Sequence, residues 1–581
     1  MRDRFPFELR AQDLTTFPPL VLRAELTKVS AIVNRNLIDQ NCYSFEREQA
    51  LDSTIGIGIA MASKLDLDTA LVDSCREAAA EAARGVSERI AGTTTVSVER
   101  MVVRLLGVDG VDRFDVPLPN VVVDHVHHQG KLDRGIAFWL GNAMARTGRS
   151  AQSLAEGVDA GELDLCDLEG ADLEQGAKAA MDATADALAR ISQGRAERRE
   201  WSESLEDAAT TGPERYVLTA TGNVYEDVRH ARAVAEHGGD IVAVIRSTAQ
   251  SLLDYVPFGP TETGHGGTFA TQENFRILRE ALDEWSRKRG RYMRLSSFCS
   301  GLCMPEIAVM GALEGLDNMV NDALYGILYR YIHMRRTLID QRVSRRVNGY
   351  TGIVINTGED NYLRTADAVE SAPSVVASQL INYYLARDCG VPDGQIAIGN
   401  AFEINPTVTN GLLFEWAQAQ LTRELFPDCL VKYMPPTKHM TGNPFRTHAC
   451  DTLFNLITVA TQQNMQTIGV PTEGVFTPHI HDRVLGLESV EYVAITARDL
   501  ADDIEFKPGG IVQSRADEVL RMAAVLLEEI VSDGLFAALE RGMFGSIKRA
   551  EEQGRGIEGI VQCSEDYFNP VVSQMESGAY V

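Results

Sequence analysis

Eight short apolar runs recur between residues 213 and 475, and each one is followed by turn residues and then by a stretch with helical spacing. Runs that are apolar throughout, rather than alternately apolar and polar, are typical of parallel strands buried on both faces. Eight βα repeats over roughly 260 residues are the number and size of a closed (β/α)8 TIM barrel, so the sequence predicts an α/β fold of this class. An open doubly wound sheet is the alternative that the pattern leaves open. The predicted strands are Tyr216–Thr221, Ile241–Arg246, Tyr292–Phe298, Met319–Leu324, Gly352–Thr357, Gln395–Asn400, Leu430–Met434 and Gln466–Val470.

Helical patterns flank the predicted barrel on both sides. From Leu65 to Ile90 apolar residues recur at helical spacing, with Asp66 and Asp68 as candidates for the N-cap. A second long helix is predicted at about Gln513–Ser532. The sequence therefore predicts four parts: an N-terminal extension (1–60), a helical accessory region (61–210), the barrel (211–475) and a C-terminal helical segment with a tail (476–581).

Composition and charge limit the classes of partner. The chain has 581 residues, of which 45% are hydrophobic and 24% charged, as in a globular protein with one large core. Its net charge of -27 opposes binding to nucleic acid or to an anionic membrane surface. The sequence has no apolar run of membrane-spanning length and no secretory signal, and its nine cysteines are too sparse for a disulfide scaffold. We therefore expect a cytoplasmic protein with reduced thiols.

A phosphate site is one interpretation of the end of the second predicted strand. The reacting groups of such barrels lie at the carboxyl ends of the strands, where the βα loops meet. Here Arg246 and a run of hydroxyl residues that reaches Ser251 lead into a helix N-terminus, which suits a phosphate group. A solvated loop with a capping serine is the other interpretation. The cluster Gly264–Thr268 could bring backbone amides to the same anion or could form a loop without a ligand.

The third predicted strand leads into Cys299, Ser300 and Cys303. An iron–sulfur site of the Cys-x3-Cys type needs a third cysteine three residues further on, and that position holds Glu306. We therefore interpret Ser300 as a hydrogen-bond donor to a ligand and both cysteines as buried small side chains. Two histidine groups, His125/His127/His128 and His479/His481, lack a convincing third ligand, so no metal site is predicted.

Three further strand ends carry candidate ligand-binding residues. Tyr325, after the fourth strand, could stack on a flat cofactor or belong to the core. The fifth strand ends in a dense polar run, Asn356–Tyr362, which includes Asp360. Lys432 is notable because lysines are scarce between 213 and 475. A lysine at a strand end near a phosphate-binding arginine indicates either pyridoxal phosphate bound as a Schiff base or a charge partner for a substrate carboxylate, and the residues leave both possibilities open.

Longer motifs at these strand ends resemble one known family, the alpha or large subunit of lysine 5,6-aminomutase. The resemblance extends from about Met61 to the C-terminus, and Met61 corresponds to where relatives begin. Residues 1–60 are therefore either a true extension or the product of a misplaced start codon. The motifs are Ala220–Asn223, Arg246–Val256, Tyr292–Leu295, Cys299–Glu306, Asn321–Gly326, Asn356–Tyr362 and Lys432–Lys438.

The resemblance implies two cofactors and a partner chain. The barrel would seat pyridoxal 5'-phosphate, while a smaller beta subunit would carry most of the adenosylcobalamin site and supply the Schiff-base lysine, so Lys432 would not be that lysine. A separate cobalamin subunit also agrees with the absence of an Asp-x-His-x-x-Gly motif here. By matching positions, the cofactor-binding residues would be Arg246, Ser251, Ser300 and Tyr325, with Tyr325 stacked on the ring.

The resemblance also implies the reaction. Such an enzyme moves the terminal amino group of D-lysine or L-β-lysine from C6 to C5 by a radical 1,2-amino shift. Tyr325, Asp360 and Lys432 would be the catalytic residues, and charge complementarity assigns Lys432 to the substrate carboxylate and Asp360 to its ammonium group. Two alternatives remain at this point: a self-sufficient pyridoxal-phosphate barrel enzyme and a non-catalytic scaffold that binds pyridoxal phosphate.

Overall fold

The computed structural model of the chain describes residues 63–168, 173–205, 212–245, 250–358, 367–472 and 478–577. The predicted extension 1–60 lies outside these residues. Within them, no helix combines the length and the apolar composition that a membrane span requires.

The region before the barrel is helical, as predicted. Its first helix begins where the capping candidates lie, because the Asp68 side chain accepts hydrogen bonds from the backbone N–H groups of Ala70 and Leu71 at 3.0 and 3.3 Å. The elements of this region are α1 (Thr69–Arg89), β1 (Thr93–Thr95), α2 (Val96–Leu105), α3 (Leu118–His128), α4 (Ile136–Thr147), α5 (Ala151–Asp159) and α6 (Leu173–Leu205).

A closed barrel of eight parallel strands confirms the predicted fold class, and the open doubly wound sheet is ruled out because the last strand pairs with the first. Each strand pairs with the next one along the chain. The strands are β2 (Glu214–Leu218), β3 (Ile241–Ile245), β4 (Arg294–Phe298), β5 (Asn318–Val320), β6 (Val354–Thr357), β7 (Ile396–Ala401), β8 (Leu430–Met434) and β9 (Met465–Thr467).

Helices follow the strands and form the outer layer of the barrel. The large apolar core lies between the strands and these helices and includes outward residues such as Val242, Leu295 and Ile355. The helices are α7 (Val224–Glu236), α8 (Gln272–Arg289), α9 (Met304–Leu313), α10 (Met334–Thr351), α11 (Ala368–Arg387), α12 (Gly411–Leu425), α13 (Pro444–Ala460) and α14 (Ile480–Thr496).

The barrel interior holds a separate and smaller apolar cluster, made by Tyr216, Ile241, Ala243, Ala397 and Met465. Because successive side chains of a strand point to opposite faces, residues two positions from these also point inward. The interior is therefore lined by few large apolar residues, which leaves positions for polar side chains.

The C-terminal segment is helical and returns to the N-terminal region. Its long helix agrees with the predicted Gln513–Ser532, and β10 pairs antiparallel with β1. The elements are α15 (Leu500–Asp503), α16 (Ile511–Asp533), α17 (Leu535–Arg541), β10 (Ile560–Gln562) and α18 (Pro570–Ser577).

Candidate active site

Ser300 joins the ends of two neighbouring strands. It follows β4 by two residues, is fully buried, and its Oγ accepts a 2.7 Å hydrogen bond from the backbone N–H of Asp322, just beyond β5. The carboxylate of Asp322 in turn accepts from the backbone N–H groups of Leu324 and Tyr325 at 2.9 and 3.3 Å. The Ser300 hydroxyl hydrogen has no acceptor within the described ranges, so it can donate to a ligand at the carboxyl end of the barrel.

Tyr325 begins a short π-helical turn, Tyr325–Tyr329, of a kind that is frequent at functional sites. Its ring meets the Phe298 ring edge-on, with the centroids 4.9 Å apart. Its hydroxyl accepts a 2.6 Å hydrogen bond from the guanidinium of Arg330. These contacts hold the ring in one orientation, as stacking on a flat cofactor requires.

Lys432 lies on β8 and points into the barrel. Its neighbour Tyr433 faces outward, where it packs against Phe454 of α13. The Lys432 side chain is 3% exposed, and its Nζ lies 4.5 Å from the centroid of the Tyr216 ring. The buried ammonium thus lies against an aromatic face in the barrel interior.

Other polar groups also face the barrel interior, and one of them, Asn356, begins the polar run predicted at the end of the fifth strand. The Tyr216 hydroxyl and the Ser296 Oγ form a 2.7 Å hydrogen bond between β2 and β4. Asn356 on β6 and Thr467 on β9 are buried and share the inward phase of their strands. In the sequence, this phase could have been recognised from the alternation Val354, Ile355, Asn356, Thr357, once the strand was placed.

Three of the predicted site residues cannot be placed in full. Arg246 and Asp360 lie outside the described residues. The backbone of Ser251 belongs to a short 3-10 turn, Gln250–Leu252, after β3. The roles of Arg246, Ser251 and Asp360 therefore stay predictions. The structure places the side chains of the predicted residues Ser300, Tyr325 and Lys432, which lie after β4, after β5 and on β8.

The glycine cluster at 264–267 serves close packing. The backbone N–H of Gly264 donates a 2.7 Å hydrogen bond to the carbonyl of Gly222. A Cβ atom at Gly264 would lie 2.2 Å from the carbonyl oxygen of Gly267. Glycine is thus needed here for the approach of two backbones, whether or not an anion binds nearby.

Cys299 and Cys303 are buried, as predicted, and burial raises the pKa of both thiols well above its usual range.

Glu403, after β7, has a structural role. Its carboxylate accepts a 2.6 Å hydrogen bond from the Thr437 hydroxyl and a 2.9 Å hydrogen bond from the Lys438 backbone N–H, and these bonds join the loops after β7 and β8. Among the residues that the structure describes, no group of three histidine, cysteine or acidic side chains could hold a metal ion.

Comparisons with known proteins agree on one family. Residues 65–574 match the family described as "D-Lysine 5,6-aminomutase TIM-barrel domain of alpha subunit". The lysine 5,6-aminomutase alpha subunits of Acetoanaerobium sticklandii and Fusobacterium nucleatum are each 50% identical to the chain, over 89% of the chain and 99% of their own length. A more distant relative, the D-ornithine 4,5-aminomutase subunit beta of Acetoanaerobium sticklandii, is 28% identical over 61% of the chain and 49% of its own length.

The match covers the barrel, the helices before it and the segment after it, and it includes the strand ends that carry Ser300, Tyr325 and Lys432. Identity of one half over nearly the whole length of two relatives leaves no room for a different architecture. The chain belongs to the family of lysine 5,6-aminomutase alpha subunits, the TIM-barrel subunits of an isomerase.

Proposed function

We propose that the chain is the pyridoxal-phosphate-carrying subunit of a complex that moves the terminal amino group of D-lysine or L-β-lysine from C6 to C5. The observation that carries the proposal is Lys432, a buried cation inside the barrel below the face on which substrates of such barrels bind. It suits the carboxylate of an amino acid whose other end lies at the carboxyl face. The two relatives at 50% identity are named for lysine.

The residues at the carboxyl face fit pyridoxal 5'-phosphate. Ser300 has a hydroxyl hydrogen to donate, and Tyr325 offers a ring fixed by Phe298 and Arg330. We assign Arg246 and Ser251 to the phosphate group with them. When bound, pyridoxal phosphate supplies a reversible attachment for the migrating nitrogen, and adenosylcobalamin supplies the radical that starts the reaction.

The chain itself binds and orients the substrate. Lys432 pairs with the carboxylate, and Asp360 pairs with the ammonium group near it. With one end held deep in the barrel, the other end reaches the cofactor at a fixed distance, which converts binding energy into orientation. The burial of Lys432 keeps water away from the carboxylate that it would pair with.

The partner is a smaller beta subunit that binds cobalamin and supplies the Schiff-base lysine. An alpha subunit implies a second chain, and the names of the relatives support this. We also propose a cytoplasmic location. Eight cysteines of the described residues are free thiols, and six of them are buried, as expected in a reducing compartment.

The first test is a mutase assay of the purified chain under anaerobic conditions, with both cofactors and each substrate, with and without the partner subunit. We expect turnover only when the partner and both cofactors are present. Turnover by this chain alone without cobalamin would replace the proposal with a self-sufficient pyridoxal-phosphate enzyme.

Lys432→Met in the assembled complex tests the role of the buried cation. We expect kcat/KM to fall by about 1000-fold, because an uncompensated carboxylate would enter a buried site. Bound pyridoxal phosphate, measured by its absorbance, should remain. Lys288→Met is the matched control, since Lys288 is 51% exposed on α8. If Lys432→Met and Lys288→Met are equally active, the substrate role of Lys432 is wrong.

A further inference from the structure

Asn356, near the carboxyl end of β6, is a buried amide without a hydrogen-bond partner. Its side chain is 0% exposed, and neither Nδ2 nor Oδ1 has a partner in the part of the chain that the structure describes. An amide that leaves water without new hydrogen bonds lowers the stability of the fold. Such an amide is expected where a ligand completes the hydrogen bonds.

The neighbours of Asn356 show that its side chain points into the barrel. Ile355 belongs to the apolar core outside the strands. Thr357 also faces outward, where its hydroxyl accepts a 2.7 Å hydrogen bond from Arg345 of α10. Asn356 stands between these two outward residues and therefore has the inward phase.

Small side chains on the next strand leave space in front of the amide. On β7 the inward positions are Ala397, which belongs to the interior cluster, and then Gly399 and Ala401. Asn356 is level with Ala397, and Lys432 on the far side of β7 is level with Gly399. The amide and the ammonium thus flank one strand of small residues, and their backbones are roughly 12 Å apart, two strand spacings across and two residues along.

The Lys432 side chain leans away from this strand. Its Nζ lies over the ring of Tyr216 on β2, and β2 is on the side of β8 opposite to β7 in the barrel order. The lysine head group therefore does not fill the space in front of Gly399. A small planar anion in that space would meet Nδ2 of Asn356 on one side and the lysine on the other.

From this arrangement we propose that Asn356 binds the carboxylate of the substrate, with Nδ2 as the donor. The assignment rests on the proposed function, in which Lys432 pairs with the same carboxylate. The ammonium contributes charge without direction, whereas a planar amide fixes the orientation of its acceptor. Asn356 is thus a binding residue that sets how far the substrate chain reaches toward the carboxyl face.

The two candidate substrates make the assignment specific. D-lysine and L-β-lysine carry the carboxylate at C1 and the reacting amino group at C6, and they differ in whether the inner ammonium is at C2 or C3. A residue that binds the carboxylate serves both substrates equally. A residue that binds the inner ammonium would separate them.

The test uses the assembled complex with both cofactors and the variant Asn356→Leu, which keeps the branched shape of the side chain and removes the amide. We expect KM to rise by about 10- to 100-fold, the effect of one lost hydrogen bond to a charged group, and by the same factor for each substrate that is turned over. Inhibition by 1,5-diaminopentane, which has no carboxylate, should not change. Asn356→Asp, which replaces the donor with a negative charge, should weaken binding further.

Asn348→Leu is the matched control. Asn348 on α10 is equally buried and has an unpaired Oδ1, but it lies outside the barrel, where its Nδ2 contacts the Met319 sulfur at 3.6 Å. We expect no change in KM for this control. The melting temperature of the ligand-free chain should stay or rise in Asn356→Leu, because an unpaired amide is removed.

Four outcomes would overturn the assignment of Asn356. They are an unchanged KM in Asn356→Leu, an effect on one substrate alone, tighter binding in Asn356→Asp, and a large fall in the melting temperature, which would make the residue structural. If the wild-type complex turns over neither substrate, the proposed function fails and this assignment fails with it. The other results leave the proposed function intact.

Discussion

Adjacent residues of one strand serve opposite sides of the barrel wall. While Lys432 faces the interior, Tyr433 faces α12 and its hydroxyl donates a hydrogen bond to the buried carboxyl group of Glu415. The pKa of Glu415 is raised to about 8, chiefly because the group is buried; the hydrogen bond from Tyr433 lowers the pKa, and the negative charge of Glu403 adds to the rise. Glu415 is therefore a protonated carboxylic acid at neutral pH, directly behind β8.

This pKa has a consequence for stability. In the unfolded chain a glutamate has a pKa of about 4.3, so between that pH and pH 8 Glu415 is protonated in the folded state and ionised in the unfolded state. The proton on Glu415 therefore contributes fully to the free energy of unfolding below about pH 4, and this contribution is lost as the pH rises toward 8.

Glu415→Gln should therefore stabilise the chain more at high pH. The glutamine does not titrate, and its amide oxygen can still accept from Tyr433. We expect the melting temperature of the variant, relative to wild type, to be higher at pH 8 than at pH 5. Glu558→Gln is the control, since Glu558 is exposed. A gain of the same size at both pH values would contradict a raised pKa for Glu415.

At the scale of elements, one arginine holds the ends of two strands. Arg345 of α10 is fully buried and bonds to the carbonyl of Asn321 after β5, to the hydroxyl of Thr357 on β6 and to the carbonyl and side chain of Asn382 on α11. Burial lowers the pKa of Arg345 to about 10. A buried cation that bonds to neutral oxygens depends on its planar fork for these contacts.

Arg345→Lys should therefore be costly although it keeps the charge. A single ammonium cannot reach the same oxygens, and we expect the free energy of unfolding to fall by about 2–3 kcal/mol. Arg342→Lys on the same helix is the control, because Arg342 is only half-buried and donates a long, 3.5 Å hydrogen bond to the carbonyl of Ser87. Thermal unfolding compares the two. Equal melting temperatures would mean that the fork of Arg345 does not hold β5 and β6 together.

The accuracy with which the sequence predicts the end of a strand depends on the residues that follow it. The strand predicted at Leu430–Met434 is confirmed residue for residue, because Pro435 and Pro436 follow it directly. The strand predicted at Met319–Leu324 is wrong beyond Val320, since Ala323 and Leu324 are buried in the turn before Tyr325. An apolar run predicts that its residues are buried, but it does not distinguish a strand from a packed turn, because both bury apolar side chains.

The candidate site is predictable to a similar degree. Lys432 stands out in the sequence because a lysine rarely occurs in an apolar strand. Asn356 lies in the predicted polar run Asn356–Tyr362, but nothing in the sequence distinguishes it from the other residues of that run. Its candidate role as a ligand-binding residue follows from Ala397 and Gly399, about forty residues away in the chain, whose small side chains leave the Asn356 amide without a partner. Sequence patterns of one strand carry no information on the small side chains of the next.

At the scale of the whole molecule, the segments before and after the barrel close on each other. Helix α1 packs against α11 and α16, while α18 packs against α6. One apolar core runs through these segments and the outer layer of the barrel, from Leu65 to Met575. The chain from Leu65 onward should therefore unfold as a unit and not as a barrel with independent appendages.

Glu99 of α2 is where this closure can be tested. It is fully buried, and its carboxylate accepts hydrogen bonds from Thr94 at 2.6 Å, from the backbone of Ile136 at 2.7 Å and from the hydroxyl of Tyr567, before α18, at 2.8 Å. Burial raises the pKa of Glu99, and the three hydrogen bonds act in the opposite direction because they stabilise the carboxylate in the core. Of these three donors to the Glu99 carboxylate, Tyr567 comes from the C-terminal segment.

Tyr567→Phe removes that hydroxyl and keeps the ring. Because one acceptor of a buried carboxyl group loses its donor, we expect the chain to be destabilised by about 1–2 kcal/mol and its melting temperature to fall by a few degrees. Tyr492→Phe is the control, since Tyr492 is 69% exposed on α14. If the segments share one core, the whole unfolding transition shifts to lower temperature without changing shape. A separate early transition in Tyr567→Phe would instead mean that the C-terminal segment can detach while the barrel stays folded, and that the bond to Glu99 is what joins them.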